Sequence, residues 1–396
     1  MPEPRPSLLV VVQRYGEVAG GAEAHARQVV RHLRDDLDVE VATTTARDYW
    51  TWDNELTAGE DDDEGVTVLR FPVERGRSRF FRRYESAAFA GGHTLRDEHA
   101  FVLAQGPVAP ELLDHIWRRG REVDHVLFFT YIYYPTVYGL PLVPERAVLV
   151  PTAHDEPAIG LTVYKPVFHA PRAFAFNTAE ERAMVHRRFA NARIPSEIVG
   201  VGVDVPAGIE PARFRERHEI EGPYLLYLGR IVESKGCAEL FEHFLRWSSA
   251  GPARPATLVL AGHAEMAIPQ RPDVRYLGTI SDEDKFDALA GASALVVPSL
   301  LESLSMVTLE SWAVGRPVVC SARSPVLASM VRRAGGGLPY RSAAEFGGIL
   351  DLLMGEPETA ERLGASGRAF VEATYTWPAV VQKYLDLFAE VRARNA

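Results

Sequence analysis

The chain has 396 residues, 47% of them hydrophobic and 24% charged, with a formal net charge of −10. That length exceeds one core and points to two domains of roughly 200 residues each, while the acidic balance argues against a dedicated nucleic-acid binder. The only cysteines, Cys237 and Cys320, exclude a disulfide framework and a cysteine-built metal site.

At the N-terminus the apolar run Leu8 to Val12 is too short for a signal peptide or a membrane span. No later segment reaches about 18 uninterrupted apolar residues, so a cytoplasmic protein is expected. Strand-length apolar runs then alternate with helical patterns: "SLLVVV", "VEVATT", "VTVLRF", "HVLFF", "AVLVPTA", "AFAFNT" and "EIVGVGV" in the first half. In the second half the runs are "YLLYLG", "ATLVLAG", "VRYLG", "ALVVPS" and "RPVVCS". Runs that are continuous in Val and Leu indicate strands buried on both faces, hence parallel sheets covered by helices. Each half therefore reads as a doubly wound α/β unit, with 205–223, rich in Pro, Gly and charge, as the linker. Ligands in such sheets bind beyond the carboxyl ends of the strands, and two such domains face to face would form a cleft.

Several stretches stand out along the way. "GEDDDEG" (59–65) reads as a solvated acidic turn before a strand. Residues 70–86 hold six arginines among Phe71, Phe80, Phe81 and Tyr84. "YIYYPTVY" (131–138) either stacks on a flat ligand or fills the first core. After "YLLYLG" come Arg230 and, five residues on, Lys235-Gly236, expected to open the next helix. Lysine is scarce, four against 39 arginines, so Lys235 is not a default choice. A planar guanidinium plus a compact ammonium suits a diphosphate, whereas a solvated helix start is the bland alternative. The strand "ALVVPS" leads to Glu302 in a loop, then to Ser303 or Ser305 as helix cap, then to Glu310 inside the helix. Two carboxylates with helix-start N–H groups between them can hold sugar hydroxyls flanking phosphate oxygens. Solvated surface charges are the alternative.

"GRIVESKG", the Glu302/Glu310 spacing, "SWAVGRPVVCS" and the N-terminal "QRYGEVAGGAEAHARQVVRHL" together resemble the family-4 retaining glycosyltransferases of group 1, which have the GT-B fold. The resemblance covers nearly the whole chain. It implies an α/β protein of two Rossmann-like domains, 1–208 on the acceptor side and 209–377 binding the donor. A final helix, 378–396, would cross back to the first domain after the break at Pro378. By the resemblance Arg230 and Lys235 bind the donor diphosphate and Glu310 accepts the ribose hydroxyls. Glu302 holds hydroxyls of the transferred sugar, and the backbone at Leu304 and Ser305 adds phosphate contacts. The family more often has Gly where Ser305 stands. Gly278 and Thr279 would meet the base, and Gly20 and Gly21 would let the first loop approach the donor phosphate or the acceptor. "TAHD" places His154 beside the reacting sugar, with Asp155 either orienting it or taking the acceptor's proton.

What the resemblance implies is a hexosyltransferase-type enzyme using a nucleoside-diphosphate sugar, with no cofactor and no metal. The Asp-x-Asp match at 61–63 belongs to a different glycosyltransferase fold and is set aside. The acceptor would be a glycan, a lipid-linked molecule or a small molecule. Residues 70–86 would then either touch an anionic membrane, placing the enzyme peripherally at its inner face, or pair with "EDDDE" (60–64) in a solvated loop. Two other functions remain open: a sugar-nucleotide epimerase of related fold, and a non-catalytic nucleotide-sugar-binding module.

Overall fold

Leu8, Leu9, Val10 and Val11 have no solvent exposure, as a continuous aliphatic run requires when a parallel strand is covered on both faces. The computed structural model describes residues 5–18 and 20–394. It divides into two units, Met1–Val201 with Val380–Ala396, and Gly202–Ala379.

The first unit is built on strands β1 (Ser7–Val11), β2 (Asp38–Thr44), β3 (Gly59–Asp63), β4 (Val66–Phe71), β5 (His125–Phe129), β6 (Ala147–Val150), β7 (Ala173–Phe176) and β8 (Ser196–Ile198). Their order is β3-β4-β2-β1-β5-β6-β7-β8, parallel throughout except for the β3–β4 pair. Val10 lies opposite Val41 on one side and Leu127 on the other. The chain winds outward from β1 in one direction and from β5 in the other, so the carboxyl ends of β1 and β5 form the switch point where such sheets bind ligands.

The second unit has β9 (Tyr224–Leu228), β10 (Thr257–Ala261), β11 (Val274–Tyr276), β12 (Ala294–Val297), β13 (Val318–Ser321) and β14 (Gly337–Tyr340) in the order β11-β10-β9-β12-β13-β14, all parallel. Its switch point lies between β9 and β12. The last helix, Trp377–Ala393, has Pro378 in its first turn and belongs to the first unit from Val380 onward. Val380, Tyr384, Leu387, Phe388 and Val391 form its buried stripe, and Phe388 stacks on His125 of β5. Its expected end at 396 lies outside the described residues.

Two expectations need correction. The acidic run is not a solvated turn but the edge strand β3: Asp61 pairs with Arg70, Asp63 with Arg27, and Glu64 with Arg31 and Arg34. The linker region contains a helix, Pro211–Arg217, whose Arg213 and Arg217 pair with Asp287 and Asp284. The unit division falls just before it, after Val201. Strand β14, "GLPY", is not among the expected strand runs and carries a proline that only a sheet edge accommodates readily.

Two buried histidines give this fold an acid-sensitive term. Burial lowers the pKa of His25 to about 3 and that of His125 to about 4. Both stay neutral when folded, whereas unfolded imidazoles take up protons near pH 6.5. Stability present above that value is therefore lost as pH falls toward the folded pKa values, by about 2–3 kcal/mol for each residue at pH 4.5. Denaturant unfolding at pH 7 and 4.5 should show the loss, and His25→Leu should lessen its steepness. An unchanged midpoint in the wild type contradicts it.

Candidate active site

At the switch point of the second unit, the turn after β9 meets the loop after β12. Lys235 lies in a short 3-10 turn, Glu233–Lys235, and the helix Cys237–Ser249 starts only after Gly236. Gly236 has φ +78, and a Cβ there would lie 2.5 Å from the Pro298 carbonyl oxygen at the end of the β12 strand. Only glycine lets the two segments approach this closely. Lys235 Nζ thereby reaches Glu302 Oε1 at 2.8 Å, a pair whose carboxylate side chain is 15% exposed. Glu310, on the helix Met306–Ala313, is buried and accepts from Lys285 Nζ at 2.9 Å. The two carboxylates set in an apolar stretch are thus each matched by an ammonium, which offsets a desolvation cost of several kcal/mol. Burial works against the Lys285 charge, but Glu310 and Asp282 outweigh it and hold its pKa above the usual lysine value.

Arg230 follows Gly229 and lies 3.6 Å from Glu265, both side chains being about two-fifths exposed. Such a pair is worth at most about 1 kcal/mol and is readily exchanged for a stronger anion. The turns after β9, β10 and β11 are laced together by Ile231 N–H to His263 O at 2.8 Å and Gly262 N–H to Gly278 O at 2.7 Å. Gly278 and exposed Thr279 therefore border the turn that carries Arg230.

Leu304 is buried and Ser305 occupies the N-cap position before Met306. The expected cap is not formed, because the Ser305 hydroxyl bonds the Thr308 hydroxyl at 2.9 Å and no backbone N–H. Ser305 has φ +80, a conformation that favours glycine. Ser305→Gly relieves about 1–2 kcal/mol of strain but loses a hydrogen bond and adds chain entropy, so it should change stability by less than about 1 kcal/mol. Ser305→Val, β-branched and buried, should cost at least about 2 kcal/mol. Thermal denaturation of the two variants checks the asymmetry. Equal effects refute it.

The first unit has its own polar centre at its switch point. Gln13 and Arg14, just past β1, both bond Glu23 Oε1, at 2.8 Å each, and Thr130 past β5 donates to Gln13 at 3.1 Å. A Cβ on Gly20 would lie 2.1 Å from the Glu23 carboxylate, while Gly21 opens the helix Gly21–Leu33. His154 lies past β6 on a loop held from three sides. Buried Glu181 accepts from Ala153 N–H at 2.6 Å, Arg188 donates to Asp155 at 2.8 Å, and Tyr131 O–H donates to Glu156 at 2.7 Å. Burial pushes the Glu181 carboxyl up to about 8 against backbone N–H bonds that pull it down. Asp155 is mostly exposed and engaged with Arg188.

The aromatic stretch 131–138 is largely core: Tyr131 and Tyr134 are buried, and Tyr131 packs on Tyr164 and Phe168. In 70–86, Arg70 is buried against the Tyr15 carbonyl and Asp61, and Arg77 sits over the rings of Trp50 and Phe81.

Residues 222–353 match the profile of the family "Glycosyl transferases group 1", covering the strands and turns that carry Arg230, Lys235, Lys285, Glu302 and Glu310. The chain is 29% identical over 393 residues to the D-inositol 3-phosphate glycosyltransferase of Frankia alni, covering 93% of each protein. It is 24% identical to the enzyme of the same name from Jonesia denitrificans, over 63% of this chain and 64% of that one. These matches support a group 1 glycosyltransferase. The structure of Anabaena Alr3699/HepE in complex with UDP-glucose superposes with TM-score 0.71 at 13% identity over 97% of this chain and 99% of that one, a likeness of GT-B fold alone.

In this glycosyltransferase, sequence reasoning missed Lys285, Glu265, Glu181 and the Gln13–Arg14–Glu23 cluster. Lysine scarcity could have pointed to Lys285, since it singled out Lys235. Glu181 was camouflaged by "TAEE", which reads as a capping box. Thr178 does accept from Glu181 N–H, but the Glu181 carboxylate crosses to Ala153 as well as Asn177.

Proposed function

We propose that this enzyme transfers a sugar from a nucleoside-diphosphate sugar to an acceptor hydroxyl with retention of anomeric configuration and without a metal. The observation that carries the reading is the Lys235–Glu302 contact across the β9/β12 switch point, with Arg230 beside it and Glu310 on the following helix. A diphosphate would displace the exposed Glu265 from Arg230 and take the remaining N–H donors of Lys235. Those cations, with the first N–H groups of the helix Met306–Ala313 near Leu304 and Ser305, neutralise the leaving group, which removes the need for a divalent ion. Glu302 then binds hydroxyls of the transferred sugar, Glu310 the ribose, and the Gly278–Thr279 turn the base. Gly20 and Gly21 open the first unit's loop to substrate.

His154 donates to the donor sugar and steadies oxocarbenium-like charge. As the bond from the anomeric carbon to the phosphate oxygen breaks, the acceptor oxygen bonds that carbon on the same face. The acceptor's proton passes to the departing phosphate oxygen. This route needs no side-chain nucleophile. Asp155, engaged by Arg188, serves in orientation.

Incubation with a panel of nucleotide sugars in excess chelator, with inositol 3-phosphate and lipid-linked acceptors, tests this. Nucleoside diphosphate should appear only with acceptor, and the product should keep the donor's anomeric configuration. Acceptor-independent turnover would favour an epimerase, and absence of turnover despite nucleotide binding a non-catalytic module.

Among the described residues no helix is long and apolar enough to cross a membrane. Peripheral contact with an anionic membrane face is proposed for Arg79, Arg82 and Arg83 with Phe80 and Tyr84, all exposed residues of 70–86. Each charge near such a surface contributes about 1 kcal/mol. Sedimentation with phosphatidylserine vesicles should fall with salt and be lost when the three arginines become Ser. Equal partitioning of wild type and triple variant leaves a dissolved glycan or small-molecule acceptor.

A further inference from the structure

The second unit has two lysines, and each is bonded to one of its two site glutamates, in a chain where arginine outnumbers lysine 39 to 4. Lys285 lies in the first turn of the helix Asp282–Gly291, with its Nζ 2.9 Å from Glu310 Oε1 and 3.1 Å from Asp282 Oδ1. Asp282 is almost wholly solvent-exposed, so that second contact exchanges easily with water or ligand. An ammonium has three N–H donors and a carboxylate about four acceptor sites, so the Lys285–Glu310 pair can engage further polar groups from both partners. An arginine here would impose a planar fork, whereas lysine is a compact charge that leaves Glu310 open to a small ligand group.

A ribose diol suits that pairing. The 3′-hydroxyl donates to Glu310 while the neighbouring 2′-hydroxyl accepts from Lys285, and both bonds are charge-assisted. A 2′-deoxyribose forms one of the two. We propose that Lys285 is a specificity-determining residue that reads the ribose of the bound nucleotide jointly with Glu310; the inference rests on the reading of Glu310 as the ribose acceptor. Lys285 thus selects ribonucleotide over 2′-deoxyribonucleotide.

Calorimetric titration of UDP and dUDP, and of GDP and dGDP, into wild type, Lys285→Met and Glu310→Gln tests it. Wild type should favour the ribonucleotide by about tenfold or more, the usual effect of one charge-assisted hydrogen bond. Lys285→Met should bring that ratio close to one while still binding diphosphate. Where Lys285→Met fails to fold, Lys285→Gln, which keeps an N–H donor for Glu310, should lower the ratio at least threefold. A ratio lowered by Glu310→Gln and untouched at Lys285 overturns the inference and leaves the ribose site standing. Absence of ribonucleotide binding, or of preference, in the wild type overturns both. A loss of folding alone would lower the affinities for the paired nucleotides equally, so the ratio isolates the role of Lys285.

Discussion

Glu302→Gln should lower the rate of transfer by roughly 10²–10³-fold, the scale of losing one preorganised electrostatic contact at a reacting centre. Its effect on folding should be small. The glutamine carbonyl still accepts from Lys235, so what disappears is the charge of a contact that is itself partly exposed. About 1 kcal/mol of stability is at stake. Steady-state kinetics alongside thermal denaturation checks both halves. Wild-type turnover in the variant removes Glu302 from the reaction, and outright unfolding would make it a structural residue.

Arg230→Ala together with Lys235→Ala should weaken nucleoside-diphosphate binding by about 2–5 kcal/mol, the range for two charge-assisted contacts. The structure separates the two substitutions. Arg230 has an exposed partner in Glu265, so Arg230→Ala alone should cost affinity with little change in melting temperature. Lys235→Ala also leaves Glu302 without its ammonium, and the cost of an unpaired, partly buried carboxylate should appear as lost stability. Calorimetry with UDP and GDP measures the first effect and denaturation the second. Unchanged affinity in the double variant refutes the diphosphate site.

Runs such as "SLLVVV" and "ALVVPS" disclosed the architecture because a strand buried on both faces has no polar positions to obscure its pattern. Edge strands lack that constraint. β3 is made of acidic residues that pair outward with arginines, and β14 tolerates Pro339 because one side needs no ladder. The same division holds for the candidate site. Arg230, Lys235, Glu302 and Glu310 sit close in sequence to strand ends and break an apolar pattern, so they are visible. Lys285 sits in a helix start crowded with charge, where one more lysine reads as solvated, and only the fold brings it to Glu310. Arg14 and Glu23 are nine residues apart with a glycine loop between them, and nothing local signals that they meet in the interior. Ser305 was visible as an oddity, and its left-handed backbone supplies the physical reason.

A crystal structure of the chain with whichever of UDP or GDP raises its melting temperature most would test the central claim directly. The diphosphate should lie within about 3 Å of the Arg230 guanidinium and the Lys235 ammonium, with the ribose hydroxyls on Glu310. A nucleotide seated away from the carboxyl ends of β9 and β12, with Lys235, Glu302 and Glu310 untouched, would contradict it.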